Sequence, residues 1–489
     1  MNLLGIATCD LPAFLNDIGI RVRHVHIERL LLADDDITAV HDVITQLGTD
    51  TVLMICDKLM MTDTINAVIK LDIAADTPPS FGIINYCLHR DNIVSAYANG
   101  YNMVYNNMMV GVKDLTAAVQ NGMYIKRLNG HALVRRIIGN DALVTTATYS
   151  NIKSCTAIKE LSAHDNAHIT SCKYIANTLR KLDASGNKCG INNRCICTCT
   201  TITELDASHN PKITTCNRFA TSLKKLFAIG KTCGIYNKGL SLCSSIVELN
   251  ASHNTKITTC DPFAKSLRKL SIYGKTSMKN DGLLLCDAIE ELDINENPNV
   301  ITCDSFAKSL RKLSAAHILN GMSDIGLRNC TCITELNASV NPNIITCTPF
   351  AKSLRKLIVY GDLHQNGMTG VADDGISMCT SIEELDANNN ERITTCAPFA
   401  LTLYNLSAYN RCGINDNGLR TCRSIKTLFT TYNQKITTCA PFAKTLTTLS
   451  CSYGGICDAG LRLCKYITTL DASSNYNITT CAPFASSLF

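Results

Sequence analysis

At 489 residues the chain is too long for one ordinary globular core, so several domains or a repeat array are expected. Hydrophobic residues at 46% and charged residues at 18% exclude a disordered polymer and leave ample apolar surface to bury. The formal net charge is only +5 and no block of Lys or Arg stands alone, so composition points away from a nucleic-acid partner.

The N-terminus, MNLLGIATCDLPAFLNDIGI, lacks a basic region ahead of an apolar run and meets Asp10 early, unlike a signal peptide. No apolar stretch approaches the roughly 18–20 residues needed to cross a bilayer, so no membrane partner is expected. The chain therefore reads as soluble and cytoplasmic. Its 27 cysteines are odd in number and follow a repeat, which suits small buried hydrophobes in a reducing compartment better than a disulfide framework.

Residues 1–125 show no repeat. NLLGIATCD, RVRHVHI, TVLMICD and SFGIINY read as short buried strands, separated by helical patterns such as DDDITAVHDVITQL and RDNIVSAYANG. Alternation of that kind predicts a small doubly wound parallel α/β domain. Asp10 ends the first strand, Asp57 ends the third, DKLMM begins at Asp57, and NGYNMVYNN lies further on. In these features the segment resembles a response-regulator receiver, with its D-x-M-M-P and G-A-x-x-Y-x-x-K motifs. The family's lysine position falls on Asn107 and its Ser/Thr position on Asn85, and Asp10 stands where the family has an acidic pair. The resemblance thus implies a pseudo-receiver whose acidic pocket, Asp10 and Asp57, has lost phosphotransfer.

Residues 126–150 are expected to link this domain to the remaining chain and to shield the first turn of the repeats there. From Asn151 onward the segment CTTITELDASHNPKITTC recurs in eight variants. Their pivots run from Leu161 and Leu205 to Leu428 and Leu470, at a period of about 44 residues that stretches once to about 49. Each copy has a cysteine six residues before the pivot, as Cys199 and Cys243, and an asparagine five after it, as Asn210 and Asn254. A second cysteine comes later in each copy, as Cys216 and Cys260. Between copies lies a related unit, FAKSLRKLSIYG, with its own pivots such as Leu226 and Leu270. Each period is thus two rungs of roughly 21 and 23 residues.

The pattern L-x-x-L-x-[LA]-x-x-[NC] resembles the leucine-rich repeat, and CGINDNGLRTC resembles its cysteine-containing subtype, familiar from F-box substrate adaptors. The resemblance implies a horseshoe solenoid over 151–489 of about fifteen rungs, in the α/β class. Such a solenoid buries each pivot and the small residue two later, as Leu205 and Ala207, and stacks its asparagines into a ladder. One rung cannot bury its own apolar face, so neighbours stabilise one another.

The residues before and after each pivot are expected on the concave face. The preceding position alternates in sign over eleven rungs, from Glu160 and Lys181 to Lys356 and Glu384. Adjacent opposite charges favour the stacking register. Beyond Glu384 the alternation ends, and the position is taken by Asn405, Thr427, Thr448 and Thr469. With Ser407, Tyr409, Phe429, Thr431, Ser450 and Ser452 they form a neutral stretch with exposed aromatics, the candidate partner-binding patch.

Other sites are weaker. Cys189, Cys195, Cys197 and Cys199 are dense, but C-x-C-x-C is not a usual zinc spacing, and core thiols are the preferred reading. His164, His209 and His253 recur near strand ends without a nucleophile or acid at fixed spacing. No cofactor, metal or enzymatic activity is expected. The chain reads as a protein-interaction scaffold; the alternatives are a switch working through the receiver-like domain, or a ubiquitin-ligase adaptor, although no F-box pattern precedes the repeats. The chain ends on Phe489 part-way through a rung, so self-association through that edge is a further expectation.

Overall fold

A computed structural model describes four strands before residue 130, then residues 159–362 and 369–488. The chain forms two compact units, one of Met1–Phe227 with Thr232–Ile235, the other of Ala228–Lys231 with Tyr236–Phe489. No described helix is long and apolar enough to cross a membrane.

In the first unit, β1 (Asn2–Ala7), β2 (His24–Leu31) and β3 (Val52–Ile55) make a parallel sheet in that order. Three of the four strands expected near the N-terminus are therefore present and parallel. Their order gives the receiver resemblance no support. A receiver places its first strand between the second and third, whereas here β2 is central, pairing Asn2 with His26 on one side and His24 with Val52 on the other. Asp10, Asp57, Asn85 and Asn107, and the fourth expected strand, lie outside the described residues.

The same unit holds β4 (Arg127–Asn129), β5 (Glu160–Ser162), β6 (Lys181–Asp183), β7 (Glu204–Asp206) and β8 (Lys225–Phe227), all parallel. The pairing of Leu128 with Leu161 puts a pivot inside the segment expected only to link and cap. Sequence reading passed over it because Leu128 has Gly122 in place of the preceding cysteine and Leu133 in place of the asparagine five residues on.

The second unit continues the pattern with β9 (Glu248–Asn250), β10 (Lys269–Ser271), β11 (Glu291–Asp293), β12 (Lys312–Ser314), β13 (Glu335–Asn337) and β14 (Lys356–Ile358). After these come β15 (Glu384–Asp386), β16 (Asn405–Ser407), β17 (Thr427–Phe429), β18 (Thr448–Ser450) and β19 (Thr469–Asp471). Each pairs in parallel with the next, pivot against pivot, as Leu270 with Leu292 and Leu428 with Leu449. This unbroken register of short strands one rung apart is a leucine-rich-repeat solenoid.

The pivots and the small residues two later form the core beneath the strands: Leu249 and Ala251, Leu385 and Ala387 are buried. Strands stop after three residues because the chain turns sharply. Four residues after the pivot the backbone enters the left-handed region, at His253, Tyr432 and Tyr453 for example. On the far side, alternate rungs bury a phenylalanine from a short 3-10 turn, including Phe263, Phe350 and Phe442.

Two ladders hold the turns together. The buried Asn433 side chain donates to the Ala408 carbonyl at 3.0 Å and accepts the Lys435 N–H at 2.9 Å. Asn254, Asn390 and Asn475 do the same in their own periods. A second ladder, of hydroxyls, was not anticipated. Ser266 donates to the Ile246 carbonyl at 2.7 Å, and Ser353, Thr402 and Thr445 repeat the bond to their own preceding rungs. Where a one-turn helix such as Asp416–Leu419 crosses the preceding rung, a side chain on Gly418 would run into the Thr394 carbonyl oxygen. The glycine is there for close approach.

Candidate partner-binding face

The residues flanking each pivot point away from the core, as their half-buried or exposed state shows on β10 through β18. Parallel pairing in register then stacks like positions into columns one rung apart. In the column before the pivot, Lys269 lies 2.9 Å from Glu291, Lys312 2.7 Å from Glu335, and Lys356 2.9 Å from Glu384. Within the first unit Lys181 is 3.4 Å from Glu204. Each lysine thus reaches toward the glutamate of the next rung. The self-neutralised ladder read from sequence is present. All these groups keep substantial exposure, so water screens each pair and its contribution is small.

A second charged column, one residue earlier, was missed. Arg268 lies 3.6 Å from Glu290 and Arg355 3.4 Å from Glu383. Its signal was present in the alternation of R-K and E-E before successive pivots.

The ladder ends at Glu384. The Lys356 ammonium holds this carboxyl below the usual range, and the Tyr404 hydroxyl, which donates to it at 2.9 Å, acts in the same direction. Beyond it, Asn405, Thr427, Thr448 and Thr469 succeed one another in register, and Ser407, Phe429, Ser450 and Asp471 form the neighbouring column. Tyr409 packs edge-on against Phe429, ring centres 6.2 Å apart, and burial pushes its phenol up.

The structure divides the candidate residues by how far their polar atoms are already engaged. Ser407 donates to the Asn388 carboxamide oxygen at 2.9 Å, Thr431 and Ser450 share a hydrogen bond at 3.3 Å, and Ser450 also donates to Asp471. These hydroxyls brace the surface. Asn405, Thr427, Thr448 and the Tyr409–Phe429 pair supply its outward face. Ser452 does not belong there: it is buried, and its hydroxyl donates to Asp471 at 2.9 Å. The patch also carries one acid that the neutral reading left out, Asp471, held low by hydrogen bonds from Ser473 and then from Ser452.

Sequence reasoning missed the most exposed aromatic pair. Tyr432 and Tyr453 stack in parallel, ring centres 4.7 Å apart and planes 4° apart, with 55% and 46% of their surfaces exposed. Both stand four residues after a pivot in successive rungs, a periodicity legible in the sequence. Along the same edge His253 meets Tyr273 edge-on, and the His317 ring nitrogen lies 3.0 Å from the Tyr360 hydroxyl across two rungs. Of the histidines noted from sequence, His209 and His253 occupy this left-handed turn position, while His164 sits beside it and bonds Ser185.

The dense cysteines do not gather as a foursome. Cys189, Cys195 and Cys199 are buried whereas Cys197 is exposed. Cys172 is the thiol that shares the interior with the buried three. Among the described residues no cluster of ligating side chains has the arrangement to hold a metal ion.

No family model and no curated protein matches the chain. Among solved structures it is similar to an internalin (inlF) of Listeria monocytogenes, at 18% identity and a TM-score of 0.39, over 72% of this chain and 90% of that one. It is also similar to the functional domain of InlJ from Listeria monocytogenes, described as including a cysteine ladder, at 15% identity and a TM-score of 0.31, over 68% of this chain and 61% of that one. These superpositions are loose, and the solenoid is established by the chain's own strand register.

Proposed function

We propose that the chain is a protein-interaction scaffold whose partner docks on the strand face of the second unit, over the rungs beyond Glu384. The observation that supports this is the change at Glu384: before it the lysines and glutamates ahead of the pivots are spent on each other, and after it the column just before the pivot is neutral and the Tyr409–Phe429 pair lies beside it. Aromatic residues are enriched, and charged residues depleted, in the desolvated centres of interfaces. Asn405, Ser407, Tyr409, Thr427, Phe429, Thr431, Thr448 and Ser450 form the contact surface in this reading, with Tyr432 and Tyr453 at its edge. The strand order of the N-terminal sheet lends nothing to a receiver-type switch, so the scaffold reading stands ahead of signalling.

The test is quantitative affinity capture from the chain's own source, comparing wild type, Tyr409→Ser with Phe429→Ser, and a control with Lys269→Ser and Glu291→Ser. Loss of the captured partner by at least about tenfold in the aromatic variant alone, as expected for residues at an interface centre, supports the reading. Equal recovery by all three chains removes it.

A further inference from the structure

No block of lysine or arginine stands alone in the linear sequence, yet the stacking of rungs builds one. From β9 to β19, over the segment from nine to two residues before each pivot, Lys and Arg outnumber Asp and Glu by more than two to one. Over the nine residues after each pivot the two signs are nearly equal. The edge by which the chain enters these strands is therefore basic, and at the usual strand spacing it runs for roughly 50 Å.

Contacts between rungs show that these positions share one edge. The Lys265 ammonium lies 2.6 Å from Asp287, both five residues before their pivots, and Arg268 meets Glu290 in the same way. The Arg423 guanidinium donates to the Pro441 carbonyl on the next rung at 3.3 Å. One double rung beyond Lys265 the acids are missing. Thr331 and Thr334 stand opposite Lys308 and Arg311, in the places that Asp287 and Glu290 fill, and Thr380 stands opposite Lys352. Lys308, Arg311, Lys352, Lys444 and Lys465 are exposed, and none has an ion-pair partner among the described residues.

The same edge carries large apolar side chains. Leu242, Leu285, Met378 and Leu463 each stand seven residues before a pivot and Leu401 five before, all between 54% and 79% exposed. Apart from Met378 and Leu401, on adjoining rungs, they are separated by rungs that bear cations. A protein interface has a continuous desolvated centre, which side chains so spaced do not make. They suit a layered partner, charged outside and apolar beneath.

We infer that this edge of the second unit docks on an anionic lipid bilayer, its lysines and arginines among the headgroups and its leucine and methionine side chains entering the acyl boundary. The lack of a long apolar stretch bears on crossing a bilayer, not on lying against one. Tyr409 and Phe429 follow their pivots and so lie off this edge, and the inference does not rest on the partner proposed there.

The test sediments the full-length chain with vesicles of phosphatidylcholine alone and of equal parts phosphatidylcholine and phosphatidylserine. Binding is expected to the mixed vesicles only. It should fall as salt rises from about 0.1 M to about 1 M, which shortens the screening length from about 10 Å to about 3 Å. Thr331→Asp with Thr334→Glu copies the acids of the preceding double rung, and should bind at least about tenfold more weakly, because each charge near the surface is worth roughly fivefold. Lys308→Gln with Lys352→Gln makes the same test at two exposed side chains without disturbing a hydrogen bond. Leu285→Ser with Met378→Ser and Leu401→Ser leaves the charge unaltered and should also weaken binding several-fold, whereas Tyr409→Ser with Phe429→Ser should bind as wild type. Equal binding to both vesicles, no binding to either, or undiminished binding by the charge variants or the apolar variant overturns the inference. So does capture of soluble polyglutamate without capture by vesicles, the behaviour of an edge built for an acidic protein.

Discussion

The carboxylate of Glu384 is held from two sides, by the Lys356 ammonium at 2.9 Å on the preceding rung and by the Tyr404 hydroxyl at 2.9 Å on the next one. It is the point where the charged columns give way to the neutral ones, and its chemistry can be tested by pH. Its pKa is lowered in the folded chain, first by Lys356. The stabilisation is therefore complete above the pKa of an unfolded glutamate, roughly 4.3, and is lost as pH falls through the lower folded value. Thermal melts of wild type and Glu384→Gln should differ by no more than about 1 kcal/mol at neutral pH and converge in acid. A gap that persists unchanged in strong acid would contradict this origin.

The asparagine ladder carries larger individual terms. Removing the Asn433 carboxamide strips the Ala408 carbonyl and the Lys435 N–H of a buried partner. Asn433→Ala should cost about 1–3 kcal/mol, read as a lower denaturation midpoint. Amide hydrogen exchange should rise most in the rungs around β17. Uniform exchange with no local rise would argue against a ladder of local bonds.

Gly418 answers to sterics alone. A methyl group there meets the Thr394 carbonyl oxygen, a backbone atom with little freedom to move. Gly418→Ala should destabilise by roughly 1–3 kcal/mol, although alanine is the better helix former. A neutral or stabilising result would show that the rungs can separate there without penalty.

Tyr432 and Tyr453 should be energetically coupled. A double-mutant cycle to serine is expected to give about 0.5–1.5 kcal/mol of interaction for a stacked pair, reduced by the exposure of both rings. Strict additivity of the two single changes would mean that the stack is incidental.

Much of this architecture was legible because repetition amplifies weak signals. One L-x-x-L is ambiguous, but eight asparagines five residues after eight leucines are not, and each described one is found where a buried donor is needed. What escaped the sequence lacked that amplification or needed spatial knowledge. Leu128 belongs to a rung without the flanking markers. Ser452 lies at the same offset as outward-facing Tyr409, yet being small it turns under its neighbours and binds Asp471. The Cys260 N–H reaches the Gly282 carbonyl on the next rung, a contact that spacing within one copy could not show. Asn405, Thr427, Thr448 and Thr469 do stack into one neutral column, while the place of Asp471 beside it and the Tyr432–Tyr453 stack needed adjoining rungs set side by side.

The alternation of Lys and Glu from rung to rung also constrains how such a gene can lengthen or shorten. Deleting a single rung from the charged stretch would bring glutamate beside glutamate, or lysine beside lysine, on adjoining strands, where like charges repel. Removing or adding a whole double rung leaves every neighbour opposite in sign. Insertions and deletions that survive in this stretch should therefore come in paired rungs, so that the unit of inheritance is twice the unit of the fold.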